Sequence, residues 1–88
     1  MTFKLVITPA LAKQLDKLAH RDRILALSVR NKIAQIIGSD IVFINHFKNL
    51  RGSLSQYKRV HAGSFVLMFK VEKDTIIFDM LRHHDDAY

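Results

Sequence analysis

The chain closes on LRHHDDAY, positions 81 to 88, where Arg82, His83, His84, Asp85, Asp86 and Tyr88 crowd into one short stretch. Such a cluster could ligate a metal, run acid/base chemistry, or simply be polar. Metal ligation by His83, His84, Asp85 and Asp86 is disfavoured by spacing. Adjacent residues of an extended chain point to opposite sides, so one ion cannot collect all four. There is no HExxH pair, and the chain has no cysteine with which to close a structural site. Acid/base chemistry needs a single well-placed histidine. An ordinary imidazole titrates near ~6.5, so it can take or give a proton near neutral pH.

A second concentration is KNLRGSLSQYKRVH, Lys48 to His61, which holds Lys48, Arg51, Lys58, Arg59 and His61 with Tyr57 among them. On a strand Arg59 and His61 share one face, and Val60 and Ala62 share the other. That arrangement turns an apolar side inward and a cationic side outward. Cations beside an aromatic ring suit a nucleic-acid backbone with a stacked base, although a merely solvated strand face has the same pattern.

The elements that must position these residues are set by periodicity. FKLVIT, from Phe3 to Thr8, alternates Phe3, Leu5 and Ile7 as a strand with one buried face. Thr8 and Pro9 form a helix start, a capping hydroxyl followed by a residue that needs no N–H there. Leu11, Leu15 and Leu18 recur at helical spacing. Asp22 can cap a second helix with Leu25, Val29, Ile33, Ile36 and Ile37 on one side, ending at Gly38. Asp40 to Asn49 has no clear period and reads as loop with a short helical turn. YKRVHA, FVLMFKV and TIIFDML are three strands, separated at hairpin length by Ala62-Gly63-Ser64 and Glu72-Lys73-Asp74. The order β-α-α-β-β-β makes an α+β domain, an antiparallel-rich twisted sheet packed on a helical hairpin, with residues 1–88 as one domain.

Composition narrows the function classes. With 88 residues and 49% hydrophobic content, one core is all that fits. Zero cysteines exclude disulfides and thiolate metal sites and suit a reducing compartment. No stretch approaches the ~18 apolar residues of a membrane span, and the N-terminal residues lack the apolar core of a signal peptide. A cytoplasmic protein without membrane contact is expected. Fourteen Lys and Arg against eight Asp and Glu give net +6, so polyanions are the expected partners: RNA, DNA or an acidic protein. Lys13, Lys17, Arg21, Arg23, Arg30 and Lys32 add a charged outer surface to the helical pair.

The element order, Leu50-Arg51-Gly52, Tyr57-Lys58, the glycine turn before an aromatic strand (Gly63, Phe65), and the histidine-containing end at Tyr88 resemble the RelE/ParE superfamily of toxins. The resemblance implies a RelE-like fold, a cognate antitoxin bound in a hetero-oligomer, and mRNA cleaved on the ribosome. Val66 stands where RelE-type nucleases usually carry an arginine. The YafQ-like branch also has an apolar residue there and relies on histidines. Leu50-Arg51-Gly52-Ser53, Tyr57 to His61, and His84 to Tyr88 resemble its pattern. Lys48 replaces a histidine common in that branch, and Ser64 lies near a position where it has an acid. The resemblance implies a type II toxin–antitoxin toxin, a metal- and cofactor-independent mRNA endoribonuclease that inhibits translation. His61 and His84 are then catalytic; Lys48, Arg51, Lys58, Arg59, Arg82 and Tyr88 hold substrate. A ParE-like gyrase inhibitor and a catalytically inert binding module share the fold and remain alternatives. The acid/base reading generates a direct test. RNA cleavage, assayed with ribosomes in a short run, persists in excess EDTA; a loss restored by zinc or manganese overturns it.

Overall fold

The computed structural model describes residues 3–47, 49, 52 and 55–83. Its elements are β1 (Lys4–Ile7), α1 (Pro9–Arg21), α2 (Arg23–Ile37), α3 (Ile41–Ile44), β2 (Lys58–Ala62), β3 (Phe65–Glu72) and β4 (Thr75–His83). The four strands form one mixed sheet in the order β1-β4-β3-β2. β1 runs parallel to β4, and the other neighbours are antiparallel. All three helices cover one side of the sheet, and the other side carries no described helix.

Local chemistry sets the helix ends. The Thr8 hydroxyl accepts from the Leu11 N–H at 3.1 Å and Pro9 opens α1. Asp22 serves two helices. Its N–H donates to the Leu18 carbonyl at 2.7 Å, closing α1, and its carboxylate accepts from the Leu25 N–H at 3.0 Å, opening α2. The helical hairpin therefore turns on one residue. Asp40 caps α3 in the same way, accepting from the Phe43 N–H at 2.9 Å.

The expected stripes are largely buried. Leu11, Leu15 and Leu18 of α1 and Ala26, Val29, Ile33 and Ile36 of α2 pack on Leu67, Phe69, Ile76, Phe78 and Leu81 of the sheet. Leu25 and Ile37 pack at the margin of this core. A fully buried side chain of this kind contributes roughly 1.5–3 kcal/mol. Leu5 differs from its expected burial and is 48% exposed. β1 is an edge strand, and of its residues Ile7 packs against the core, joined by Phe3 just before the strand. The short helical turn expected between Asp40 and Asn49 is α3, which staples the core. Phe43 meets Phe47 edge to face at 5.4 Å, Phe47 meets Phe69 at 5.6 Å, and Phe69 meets Phe78 at 5.5 Å.

Two departures from simple alternation matter for the site. The ladder between β3 and β4 shifts register between Met68 and Phe69: Met68 pairs with Met80, and Phe69 with Phe78. Asp79 is the extra residue, so Phe78 and Leu81 both face the helices although three apart. The hairpins are also tighter than expected, because Ala62 and Glu72 belong to strands and leave Gly63-Ser64 and Lys73-Asp74 as the turns. Gly63 has φ +59, and a β-carbon there would lie 2.8 Å from Leu25 Cδ1. Gly63→Ala is expected to lower stability by about 1–2 kcal/mol through the left-handed backbone alone, read as a fall in the urea midpoint at constant slope. An unchanged midpoint would show that the turn can adopt another conformation without loss.

Candidate functional site

Strand alternation and the Asp79 bulge determine which side chains share the helix-free face. β2 contributes Arg59 and His61, whereas Val60 packs on the core and Ala62 is 3% exposed. β3 contributes Val66, Met68 and Lys70; β4 contributes Met80 and Arg82. The register stacks them in rows. His61 pairs with Val66, and Val66 pairs with Arg82. Arg59 pairs with Met68, and Met68 with Met80. His61 and Arg82 thus flank Val66 across three strands, two strand spacings or roughly 10 Å between Cα atoms.

The floor of this arrangement is apolar and buried. Val66 is 0% exposed and Met68 1%, yet neither belongs to the core shared with the helices. Arg82 leans from its own row toward the next, with its Nε donating to the Met80 sulfur at 3.3 Å. Farther along the face the Lys70 ammonium stands 5.6 Å from the Tyr57 ring centroid and pairs with Glu72 at 3.4 Å. A cationic rim over an apolar floor lowers the local dielectric, so the charges on it act more strongly than in open solvent.

Two sequence candidates lie elsewhere. Lys58 is on the helix side of β2, and its ammonium donates to the Phe47 carbonyl at 3.3 Å and to Asn49 Oδ1 at 2.9 Å. It ties α3 and the following segment to the sheet rather than joining Arg59 and His61, because adjacent strand residues point oppositely. His83 likewise lies on the helix side, its ring edge-to-face with Phe65 at 5.7 Å. Lys48, Arg51, His84 and Tyr88 fall outside the described residues. Lys70 was missed from sequence, although its parity with Val66 and Met68 in FVLMFKV was a usable signal. Among the described residues no group of three or more His, Asp or Glu could hold a metal ion, and no helix is long and apolar enough to cross a membrane.

Comparison with known proteins places this geometry. No family model matches the sequence. A protein of Methanocaldococcus jannaschii described as "Putative toxin RelE4" is 38% identical over 89 residues, spanning 98% of this chain and 90% of its own. The chain belongs to the RelE family of toxins. Solved structures agree on the fold. YafQ from E. coli superposes with a TM-score of 0.74 at 12% identity, covering 98% of each chain. The RelBE2 toxin–antitoxin complex of Mycobacterium tuberculosis has a chain that matches at 0.72 and 20% identity, covering 94% of this chain and 92% of that one. In this RelE-family chain, Arg59, His61 and Arg82 are brought to one face, and Lys58 and His83 are turned from it.

The split of the cations predicts a split in behaviour. For single-stranded RNA, Arg59→Gln and Arg82→Gln should each reduce the slope of log affinity against log salt by about 0.7. Lys58→Gln should leave that slope near the parent's and lower the melting temperature instead. An equal loss of slope at Lys58 would show that its charge reaches the ligand despite its place.

Proposed function

We propose that this chain is the toxin of a type II toxin–antitoxin pair and an mRNA endoribonuclease that stops translation, acting on the ribosome. The observation that carries the reading is the trio Arg59, His61 and Arg82 on one helix-free sheet face, with a buried valine between the histidine and Arg82. A basic family member with net +6 suits both a polyanionic substrate and an acidic antitoxin. The toxin–antitoxin complex among the structural matches supports such a partner.

The chemistry needs a base, an acid and positive charge. A base takes the proton from a ribose 2′-hydroxyl, and the oxygen attacks the adjacent phosphorus. The bond from phosphorus to the 5′-oxygen breaks, leaving a cyclic phosphate, and an acid protonates the departing oxygen. His61 and His84 fill these two roles in the reading, His61 as base and His84 as acid, and the order can be reversed. Arg59 and Arg82 stabilise the extra charge on the pentacovalent phosphorus. Arg51 and Tyr88 enter through the family resemblance, the arginine on phosphate and the tyrosine stacking on a base, and Lys48, which stands where the branch has a histidine, is a further substrate contact. Val66, where RelE-type nucleases carry arginine, supplies no charge, so the flanking strands must provide it.

The paired histidines make the test. His84→Ala should cut cleavage by about 10²–10⁴-fold, while His83→Ala, whose ring lies against Phe65 on the helix side, should cleave like the parent. His84→Gln keeps a polar group and should be as impaired. The reverse result would move the active histidine by one position. Cleavage unaffected by both, beside inhibition of gyrase supercoiling, would favour a ParE-like activity. Inactivity of the parent in both assays would leave a binding module.

A further inference from the structure

β1 is shorter than its neighbour. Its register ends with Ile7 against Phe78, so β4 continues through Asp79 to His83 with no described strand on that side. Two residues, Thr8 and Gln14, take over. The Thr8 N–H donates to the Phe78 carbonyl at 3.1 Å, and its hydroxyl donates to the Asp79 carbonyl at 2.7 Å. Gln14 then pairs with Leu81 as a strand residue would. Its amide nitrogen donates to the Leu81 carbonyl at 2.9 Å, and its amide oxygen accepts from the Leu81 N–H at 2.9 Å. These contacts bracket the bulge and stop one residue short of Arg82.

Position decides what the clamp is for. Without the extra residue at Asp79, strand alternation would give Arg82 the facing of Phe78 and turn it toward the helices. With it, Arg82 stands on the open face beside Val66. A bulge on a strand with one partner can slip. The two-point amide contact fixes Leu81 from the second side and so fixes the phase of Arg82 next to it. We infer that Gln14 is a positioning residue that holds β4 in phase beyond its bulge and thereby presents Arg82 to the open face. Its consequence for catalysis rests on the reading of that face as the RNA-cleaving site; its effect on Arg82 does not.

The test uses the full chain with Gln14→Met, which keeps side-chain length and helix preference but removes both amide contacts, and Gln14→Glu, which keeps the acceptor and loses the donor. Three quantities are read: hydrogen exchange at the Leu81 amide, the NMR signal of Arg82 Nε–H, and kcat and KM for RNA cleavage. Gln14→Met should speed Leu81 exchange at least about tenfold and move the Arg82 signal, with the global melting transition nearly unchanged. In a cleaving parent it should lower kcat about 10- to 100-fold with a smaller change in KM, and Gln14→Glu should fall between. If Gln14→Met does not yield folded protein, Gln14→Glu carries the same readouts. Unchanged Leu81 exchange and an unmoved Arg82 signal overturn the inference. A moved Arg82 signal with kcat intact in a cleaving parent takes Arg82 out of the cleavage reading and leaves the positioning role standing. A parent that cleaves no RNA, beside a moved Arg82 signal, sinks the nuclease reading and leaves the positioning role standing.

Discussion

One unpaired residue in β4 sets the orientation of much of the molecule. Asp79 shifts the phase of the strand, so Ile76 and Phe78 before it and Leu81 after it all enter the helix-covered core. A regular strand could not bury both Phe78 and Leu81 on one side. The same shift turns Arg82 outward. Core packing and the charge on the open face are therefore one constraint, and the bulge cannot be removed without exchanging the two faces of the strand's end. Thr8 is the local counterpart, capping α1 with its hydroxyl oxygen while donating to the bulged residue's carbonyl.

The sheet divides its cations between its two faces through simple parity. Lys58 and Arg59 are neighbours in sequence, yet one fastens α3 and the other joins His61. Charge counted along the sequence cannot make this distinction. On the open side Val66 and Met68 are buried without any described helix above them. These apolar residues give the face a buried floor beside its charged side chains.

The helices complete the division. Lys13, Lys17 and Arg21 recur along α1 and have no ion-pair partner among the described residues. The protein therefore carries positive charge on the hairpin as well as on the sheet, and Lys13 and Lys17 border the same depression as Met80. Electrostatic attraction of this kind speeds encounter and weakens with salt.

The sequence by itself determined the element order, the caps at Thr8 and Asp22, the apolar stripes of α1 and α2, and the pairing of Arg59 with His61 on one strand face. These are local consequences of periodicity and capping, readable within a few residues. It also carried the family, because the order of its motifs spans almost the whole chain. Tertiary structure decided what depends on distant partners. The parallel pairing of β1 with β4 joins residues about seventy positions apart. The bulge at Asp79 answers to the spacing of Phe69 and the helices, not to anything within TIIFDML. Lys58 sits among substrate-type cations in the sequence and is drawn instead to Phe47 and Asn49 by a turn of helix that has no clear period. Gln14 looks like an ordinary polar residue on a helix, and only the end of β1 at Ile7 leaves the backbone of Leu81 for it to hold.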